Sequence, residues 1–304
     1  MKKIVIIIHG HLSWKDHLKK KITDLLEHNF IIEFQLTKAS HHATALACDA
    51  ATAGCDFLIA VGGDGTMNEV INGMMQTSEK IRAKTIVGLL PSGTGNDFAR
   101  TVGIKKSVEK LAELIEKGES HPVDVGVMTF TGLDGVKITR YFNNISDIGI
   151  GGQVVALVKR SKMFFGASLA FGLALFRTLL WYRNKHAKIV SPNFTWEGQV
   201  ISMCLANGKY FGSGIGIAPD AKVDDGIISL VIIGNVSVID YLKYLPKLRN
   251  CERIQHPEIH YREITQCTIE SADADCHIDM DGEYIGHPPI EMHIIKHAVQ
   301  FLRS

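Results

Sequence analysis

Charge of one sign is missing from this sequence. Its 304 residues hold 33 Lys and Arg against 32 Asp and Glu, a formal net charge of +1. A chain so balanced has no whole-surface field to draw in nucleic acid or an anionic membrane. Paired cysteines are missing as well. Cys48, Cys55, Cys204, Cys251, Cys267 and Cys276 form no CxxC pair, and they read as reduced thiols of a cytosolic protein. The 14 histidines lack metal-ligand spacing. His9/His11 and His41-His42 have no third ligand nearby, so zinc is not expected. Long apolar runs are also scarce. Ile4–Ile8 is too short for the apolar region of a signal peptide and reads as a buried strand. Met163–Trp181 approaches the length of a membrane span with Arg177 as its one charge, but Gly166, Ser168, Gly172, Arg177 and Thr178 interrupt it. It reads as a buried or interfacial helix pair. There is no internal repeat and no low-complexity linker.

What is present is the composition of a folded protein. An apolar fraction of 46% and a charged fraction of 21% supply a core without staples. The length allows one large domain or two smaller ones. The first third alternates strand and helix. Residues 3–9, Phe30–Leu36, Phe57–Val61 and Thr85–Leu90 read as strands, with helices over 14–28 and His41–Ala53, the latter ended by Gly54. That alternation predicts a parallel, doubly wound sheet with ligands beyond the carboxyl ends of its strands. After Gly118 the pattern becomes mainly strands separated by turn signals, several alternating apolar and polar residues. This predicts an antiparallel second domain, a sandwich, with helical insertions over Gln153–Arg183 and Val236–Leu248. Residues 290–302 are expected to pack back on the first domain.

Two polar glycine loops fall at strand ends of the first domain. One is Gly62-Gly63-Asp64-Gly65-Thr66-Met67-Asn68-Glu69, between the third strand and a helical stretch from Asn68 to Met75. Glycines allow positive φ and close approach to a ligand, and strand–glycine turn–helix presents N–H groups to phosphate. Asp64 has two readings: a group acting with Mg²⁺ or a hydroxyl at a phosphate site, or a helix cap. The other loop is Leu90-Pro91-Ser92-Gly93-Thr94-Gly95-Asn96-Asp97, with hydroxyl and amide donors around two glycines. Its alternative is an ordinary loop capped by Asn96 or Asp97. In the second domain, Asp220, Asp224 and Asp225 before Gly226 suit either a hard cation or a type I turn. Asp281-Gly282-Glu283 supplies either a general base from paired carboxylates or a hairpin turn.

Together these four motifs resemble the diacylglycerol kinase catalytic family, which includes bacterial soluble lipid kinases and sphingosine and ceramide kinases. Their order and separation fit that family over essentially the whole chain. Gly-Gly-Asp-Gly alone also occurs in NAD kinases and phosphofructokinases; the second loop with the late Asp-Gly-Glu is more specific. The resemblance implies a fold of class α/β plus β. A Rossmann-like domain of the phosphofructokinase/NAD kinase type spans 1–124, with 290–304 packing back on it. A β-sandwich lipid domain spans 125–289, and the active site lies between the two. It implies an ATP- and Mg²⁺-dependent kinase acting on a lipid hydroxyl, with diacylglycerol to phosphatidic acid as the leading reaction. Thr37, Gly62, Gly63, Asp64, Gly65, Thr66, Met67, Asn68, Ser92, Gly93 and Thr94 would hold ATP. Glu283 would accept the proton, with Asp281 beside it and Asp64 near the phosphates. Lys222, Asp225 and Ile227 match a structural Mg²⁺ site, Asp225 through its carboxylate and the other two through backbone carbonyls.

The stretch 159–183 looks like the helices bordering the family's lipid groove. Phe164–Phe176 is expected to hold acyl chains, and Lys159–Lys162 to touch the bilayer. The expected partner is a lipid at the membrane surface, reached by transient peripheral contact from the cytoplasm. No nucleic acid is expected, and a homodimer is possible. One departure stands out. The family's Asn-Pro-x-Ser/Ala-Gly loop after the first strand is here His9-Gly10-His11-Leu12-Ser13, leaving Gly10 and Ser13 as its N–H and hydroxyl donors. Two other functions remain in view. One is a soluble-substrate kinase of the NAD kinase type, which the apolar 163–181 stretch opposes. The other is a nucleotide or lipid sensor without catalysis, which the joint presence of Asp64, Asp281 and Glu283 opposes.

Overall fold

A computed structural model describes residues 1–160, 167–273 and 275–303, with backbone alone at 156, 158–160 and 167–171. Lys159–Lys162 and Phe164–Phe171, named above as bilayer and acyl-chain contacts, therefore lie outside the described side chains. The chain divides into two compact units, Met1–Val125 with Lys296–Ser304, and Gly126–Ile295.

The first unit is a parallel sheet with helices on both faces. Its elements are β1 (Lys2–Ile8), α1 (Lys15–Leu26), β2 (Phe30–Leu36), α2 (His42–Thr52), β3 (Phe57–Gly62), α3 (Asp64–Met75), α4 (Glu79–Arg82), β4 (Ile86–Pro91), α5 (Asp97–Thr101) and α6 (Val108–Lys117). The strand order is β2-β1-β3-β4, followed by the tail of the last strand of the chain, all parallel. β1 and β3 are buried along nearly their whole length, as expected of strands covered on both faces. α1 and α6 close one face through Leu18, Ile22, Leu111 and Ile115. α2 and α3 pack against each other and against β1 and β3. They approach closely because Gly73 has no side chain: a Cβ there would lie 2.3 Å from the Thr44 carbonyl oxygen.

The register decides where the loops go. Ile8 pairs with both Leu36 and Val61, and Val61 with Leu90. Four carboxyl ends therefore stand in one row, and the segments after them are neighbours. His9 donates its N–H to the Val61 carbonyl at 3.0 Å, Thr37 to Ile8 at 3.0 Å, and Ser92 to Gly62 at 2.7 Å. The two glycine loops touch at their backbones: a Cβ on Gly93 would sit 2.4 Å from the Gly63 Cα.

The second unit is a sandwich. It contains β5 (Ser120–Gly132, entering from the first unit), β6 (Lys137–Phe142), β7 (Ile145–Gly149), α7 (Ile150–Arg160), α8 (Ala167–Trp181), β8 (Lys185–Ser191), β9 (Phe194–Val200), β10 (Ser202–Ala206), β11 (Tyr210–Phe211), β12 (Ile215–Gly216), β13 (Ile228–Ile233), α9 (Val238–Arg249), β14 (Ile259–Ile264), β15 (Gln266–Ser271), β16 (His277–Met280) and β17 (Glu283–Leu302, ending in the first unit). One layer runs β14-β13-β10-β7-β16-β17, antiparallel throughout. The other joins β9, β8 and β15 to β17, with β5 and β6 beside it. Inward residues of both layers, among them Phe130, Phe142, Ile189, Leu205, Leu230, Ile269 and Ile278, form one core.

The strand-like stretches Val136–Asp147 and Phe194–Leu205 each fold as two strands, broken at Asn143-Asn144 and Ile201. Among the described residues no helix is long and apolar enough to cross a membrane. All six cysteines are free. Burial pushes the thiols of Cys55 and Cys276 up to about 11 and that of Cys267 to about 12, and also raises that of Cys204 well above the ordinary thiol range.

Two outcomes are expected. Ellman's reagent at pH 8 labels none of Cys55, Cys204, Cys267 and Cys276 in the folded protein and all of them in guanidinium, because the thiolate is the reactive form. Fast labelling of any of the four in the native state contradicts this packing. Gly93→Ala forces the two glycine loops apart and lowers stability by about 1–3 kcal/mol, the usual cost of an overpacked contact; a thermal melt matching wild type rules out the close approach.

Candidate active site

The segments at the strand ends of the first unit are held by one another. The helix after β3 starts at Asp64, four residues earlier than the sequence suggests, with Gly63 as its N-cap. Gly62, Gly63 and Gly65 are absent from the positive-φ residues. The expectation that they take positive φ is therefore corrected; two of them are needed for space. A Cβ on Gly62 would fall 2.3 Å from Thr66 Oγ1, and one on Gly63 would fall 3.1 Å from the Gly93 Cα. No side chain caps the first turn of α3. The N–H groups that a helix start leaves without an intrahelical acceptor are the physical basis of an anion site there.

Asp64 is a cap, but of a different helix. Its Oδ1 accepts from Phe98 N–H at 2.9 Å and its Oδ2 from Asp97 N–H at 3.1 Å. It thus holds the start of α5, whose own N-cap residue Asn96 makes no side-chain cap bond. Asn96 instead folds back on Gly93, accepting from its N–H at 3.0 Å and donating to its carbonyl at 2.7 Å. Glu69, the last residue of the first motif, does the same for α2: its carboxylate accepts from His41 N–H at 3.0 Å and Ala43 N–H at 2.9 Å. Met67 and Asn68 are buried, and Asn68 Oδ1 accepts from Asn72 at 3.0 Å. In the second loop Thr94 is exposed.

Thr37 ties in the departing loop. Its Oγ1 accepts from Gly10 N–H at 3.0 Å, and a Cβ on Gly10 would lie 2.1 Å from the Thr37 carbonyl oxygen. The Gly10 N–H offered above as a nucleotide donor is therefore engaged inside the protein.

In the second unit, Asp281-Gly282 is the turn of a two-residue hairpin that pairs Met280 with Glu283. Both turn residues have positive φ, 47° and 89°, the conformation that makes Asp-Gly a favoured hairpin turn. The Asp281 side chain, 8% exposed, bridges to the break between β6 and β7. Its carboxylate accepts from Asn143 N–H at 3.2 Å and Ile145 N–H at 2.9 Å, and its own N–H donates to the Ile145 carbonyl at 3.0 Å. Glu283 points differently. Its Oε2 meets Arg140 Nη1 at 3.0 Å, both side chains being partly exposed, while its Oε1 has no partner within this unit among the described residues. Arg140 went unnoticed in the sequence because a single arginine in a strand far from the motif gives no signal.

The loop before β13 holds the carboxylates that suit a hard cation. Asp220 is diverted to Arg253, Nη1 to Oδ2 at 2.8 Å. Asp225 accepts from Ile227 N–H through Oδ1 at 3.0 Å, which leaves Oδ2 without a protein partner among the described residues. Lys222 is exposed and Gly226 turns the chain at φ 80°. One carboxylate oxygen with backbone carbonyls at 222 and 227 is a donor set that fits a hard cation completed by water.

Known families match both units. Residues 3–128 match the diacylglycerol kinase catalytic domain, and residues 144–303 match the YegS C-terminal NAD kinase β-sandwich-like domain. A diacylglycerol kinase of Staphylococcus saprophyticus is 27% identical over 297 residues, covering 95% of this chain and 92% of its own. A Pseudomonas syringae protein named "Probable lipid kinase YegS-like" is 28% identical over 235 residues, 76% of this chain and 72% of its own. The fold matches that of a diacylglycerol kinase from Bacillus anthracis with a TM-score of 0.78 at 24% identity, covering all of this chain and 97% of the other. It matches yeast NADH kinase with a TM-score of 0.55 at 9% identity, over all of this chain and 84% of the other. With its two units matched in sequence to those two domains, the chain belongs to the lipid kinases that join a diacylglycerol kinase catalytic domain to a YegS-type β-sandwich domain.

Proposed function

We propose that this protein transfers the γ-phosphoryl group of Mg-ATP to the hydroxyl of a membrane lipid, and that diacylglycerol is the substrate. The observation that carries the reading is Glu283, a carboxylate with one oxygen fixed by Arg140 and the other unpartnered within its unit. Phosphoryl transfer asks a protein for position and charge more than for covalent chemistry. Bound Mg²⁺ neutralises charge on the phosphates. The backbone N–H groups at the start of α3 and the Thr66, Ser92 and Thr94 hydroxyls hold the phosphate oxygens. Thr37 positions the His9–Ser13 segment through Gly10. Asp64 keeps the two glycine loops and α5 together, so its work is to preserve the cradle. Glu283 Oε1 accepts the hydroxyl proton, and Arg140 keeps the carboxylate pointed. Asp281 holds the hairpin that presents Glu283. Asp225 and the carbonyls of Lys222 and Ile227 would hold a structural Mg²⁺, which would stiffen the loop before β13. The choice of diacylglycerol rests on the names of the Staphylococcus relatives.

The test is transfer of labelled γ-phosphate from Mg-ATP to diacylglycerol, other lipid alcohols and NAD presented in detergent. Labelled phosphatidic acid is the expected product. Transfer to NAD alone, or ATP binding with no transfer, refutes the reading. Within that assay Glu283→Gln is expected to lower turnover by about 10²–10⁴ with little change in stability. Asp281→Asn instead sets an amide N–H against one of two backbone N–H groups and costs about 1–3 kcal/mol of stability. Near-full turnover of Glu283→Gln removes it as the proton acceptor. Lost turnover in an unperturbed Asp281→Asn moves that role to Asp281.

A further inference from the structure

Among the described residues, half of the exposed large apolar side chains lie on two helices of the second unit. They are Leu173, Phe176, Leu180 and Trp181 on α8, and Ile239 and Leu242 on α9. Isolated exposed apolar residues are ordinary; a set of six on two helices that touch is not. The spacing on each helix is that of one face. Among the described side chains of α8 the exposed positions are Leu173, Phe176, Arg177, Leu180 and Trp181; on α9 Ile239, Leu242, Lys243, Pro246 and Lys247 are exposed, with Arg249 at the helix end, and the first five on each follow the i, i+3, i+4, i+7, i+8 series. The opposite faces are packed: Ala174, Leu175 and Leu179 against Ile150 and Val154, and Tyr241, Tyr244, Leu245 and Leu248 against the 215–221 segment. The outer faces are thus left over after folding.

Their charge points to the occupant. Arg177, Lys243, Lys247 and Arg249 face a single carboxylate on the two helices, Asp240, and that one is held at the helix start by Ser237, at 3.0 Å from its N–H and 2.7 Å from its hydroxyl. A second copy docked through this face about a two-fold axis would set like charges against each other. An anionic bilayer offers the opposite sign together with an apolar layer for Leu180, Trp181, Ile239 and Leu242. Tryptophan at the water–hydrocarbon boundary and lysines beside it are what an interfacial helix carries. We infer that the outer faces of α8 and α9 form a docking surface for anionic lipid bilayers. The inference extends the lipid-kinase reading, since such a substrate resides in the bilayer.

The test needs no turnover. The full chain, without nucleotide, is sedimented with phosphatidylcholine vesicles or with vesicles holding about one-third phosphatidylglycerol. The anionic vesicles are expected to retain it at least about tenfold better, and the preference is expected to fade on raising salt from about 0.1 M to about 0.5 M. The paired changes Leu180→Ser with Trp181→Ser, and Ile239→Ser with Leu242→Ser, are each expected to lower partitioning about tenfold or more. Lys243→Glu with Lys247→Glu should abolish the preference for anionic vesicles. These side chains point outward, so melts should match wild type. Wild-type binding to neither vesicle, or variants that bind like wild type, overturns the inference. So does a dimer in sedimentation equilibrium that the same variants dissolve without vesicle binding, which would assign the face to a second copy. Phosphorylation of a short-chain lipid dispersed as monomers separates the two readings. Variants that keep it while losing vesicle binding uphold the docking face. If wild type lacks it, the kinase reading fails and the vesicle result still decides the surface.

Discussion

The Asp64 carboxylate, spread over the N–H groups of Asp97 and Phe98, is the contact on which the rest of the first unit's candidate site depends. Asp64 opens α3 and the two donors open α5. One side chain thus fixes the spacing of two helix starts that follow adjacent parallel strands. The glycines on either side make the approach possible, because Gly63 and Gly93 meet with no room for a Cβ. A carboxylate at a phosphate site looks adverse, since it repels the ligand. Here the opposing N–H dipoles offset much of its charge. It also supplies α5 with the cap that Asn96, turned back on Gly93, does not provide. An acidic residue in the motif is thus compatible with an anion site beside it.

The second unit separates two carboxylates that stand two residues apart in the chain. Asp281 takes a left-handed conformation, which costs a non-glycine residue roughly 1–2 kcal/mol. It recovers this through hydrogen bonds to two backbone N–H groups, each of the stronger kind that a charged acceptor forms. Those groups belong to the break between β6 and β7, so the turn and the break hold each other. Glu283, one step into β17, alternates away from that contact and reaches Arg140 instead. The same hairpin geometry that buries the first carboxylate leaves the second partly exposed.

Much of this was legible in the chain. Continuous apolar runs such as Ile4–Ile8 and Phe57–Val61 mark strands buried on both faces, and their alternation with helices places the glycine loops at one edge of the sheet. The start of α3 was not legible. Gly62-Gly63-Asp64-Gly65 carries the composition of a turn, and only the contact with the second loop shows that the glycines answer to space and not to φ. The breaks at Asn143-Asn144 and Ile201 were hidden because the residues around them keep a strand-like pattern. What distinguishes Asn143 is that its N–H bonds to Asp281, 138 residues away. Arg140, Glu69 and Thr37 share this property. Each acts through a partner distant in sequence, and composition or periodicity carries no trace of such a pairing. The fate of the Gly10 N–H is the same case, since a loop read alone does not reveal that Thr37 has taken its donor.

A last buried group shows what the second unit gives up to hold its helical insertion. Asp147, at the end of β7 and 1% exposed, accepts from Gly151 N–H in the first turn of α7 at 2.7 Å, and from Ser202 and Cys204 on β10. Burial raises its carboxyl above the ordinary 3.8, against the lowering effect of those donors. The folded chain therefore holds this proton more tightly than the unfolded one. The resulting stability is present in full below the ordinary value and is lost as pH rises toward the folded one. At neutral pH this residue works against folding while tying α7 to two strands at once. An apolar residue there would spare that cost but would leave the first turn of α7 without its acceptor. The arrangement fixes the position of α7 on the sandwich at the expense of the last increment of stability.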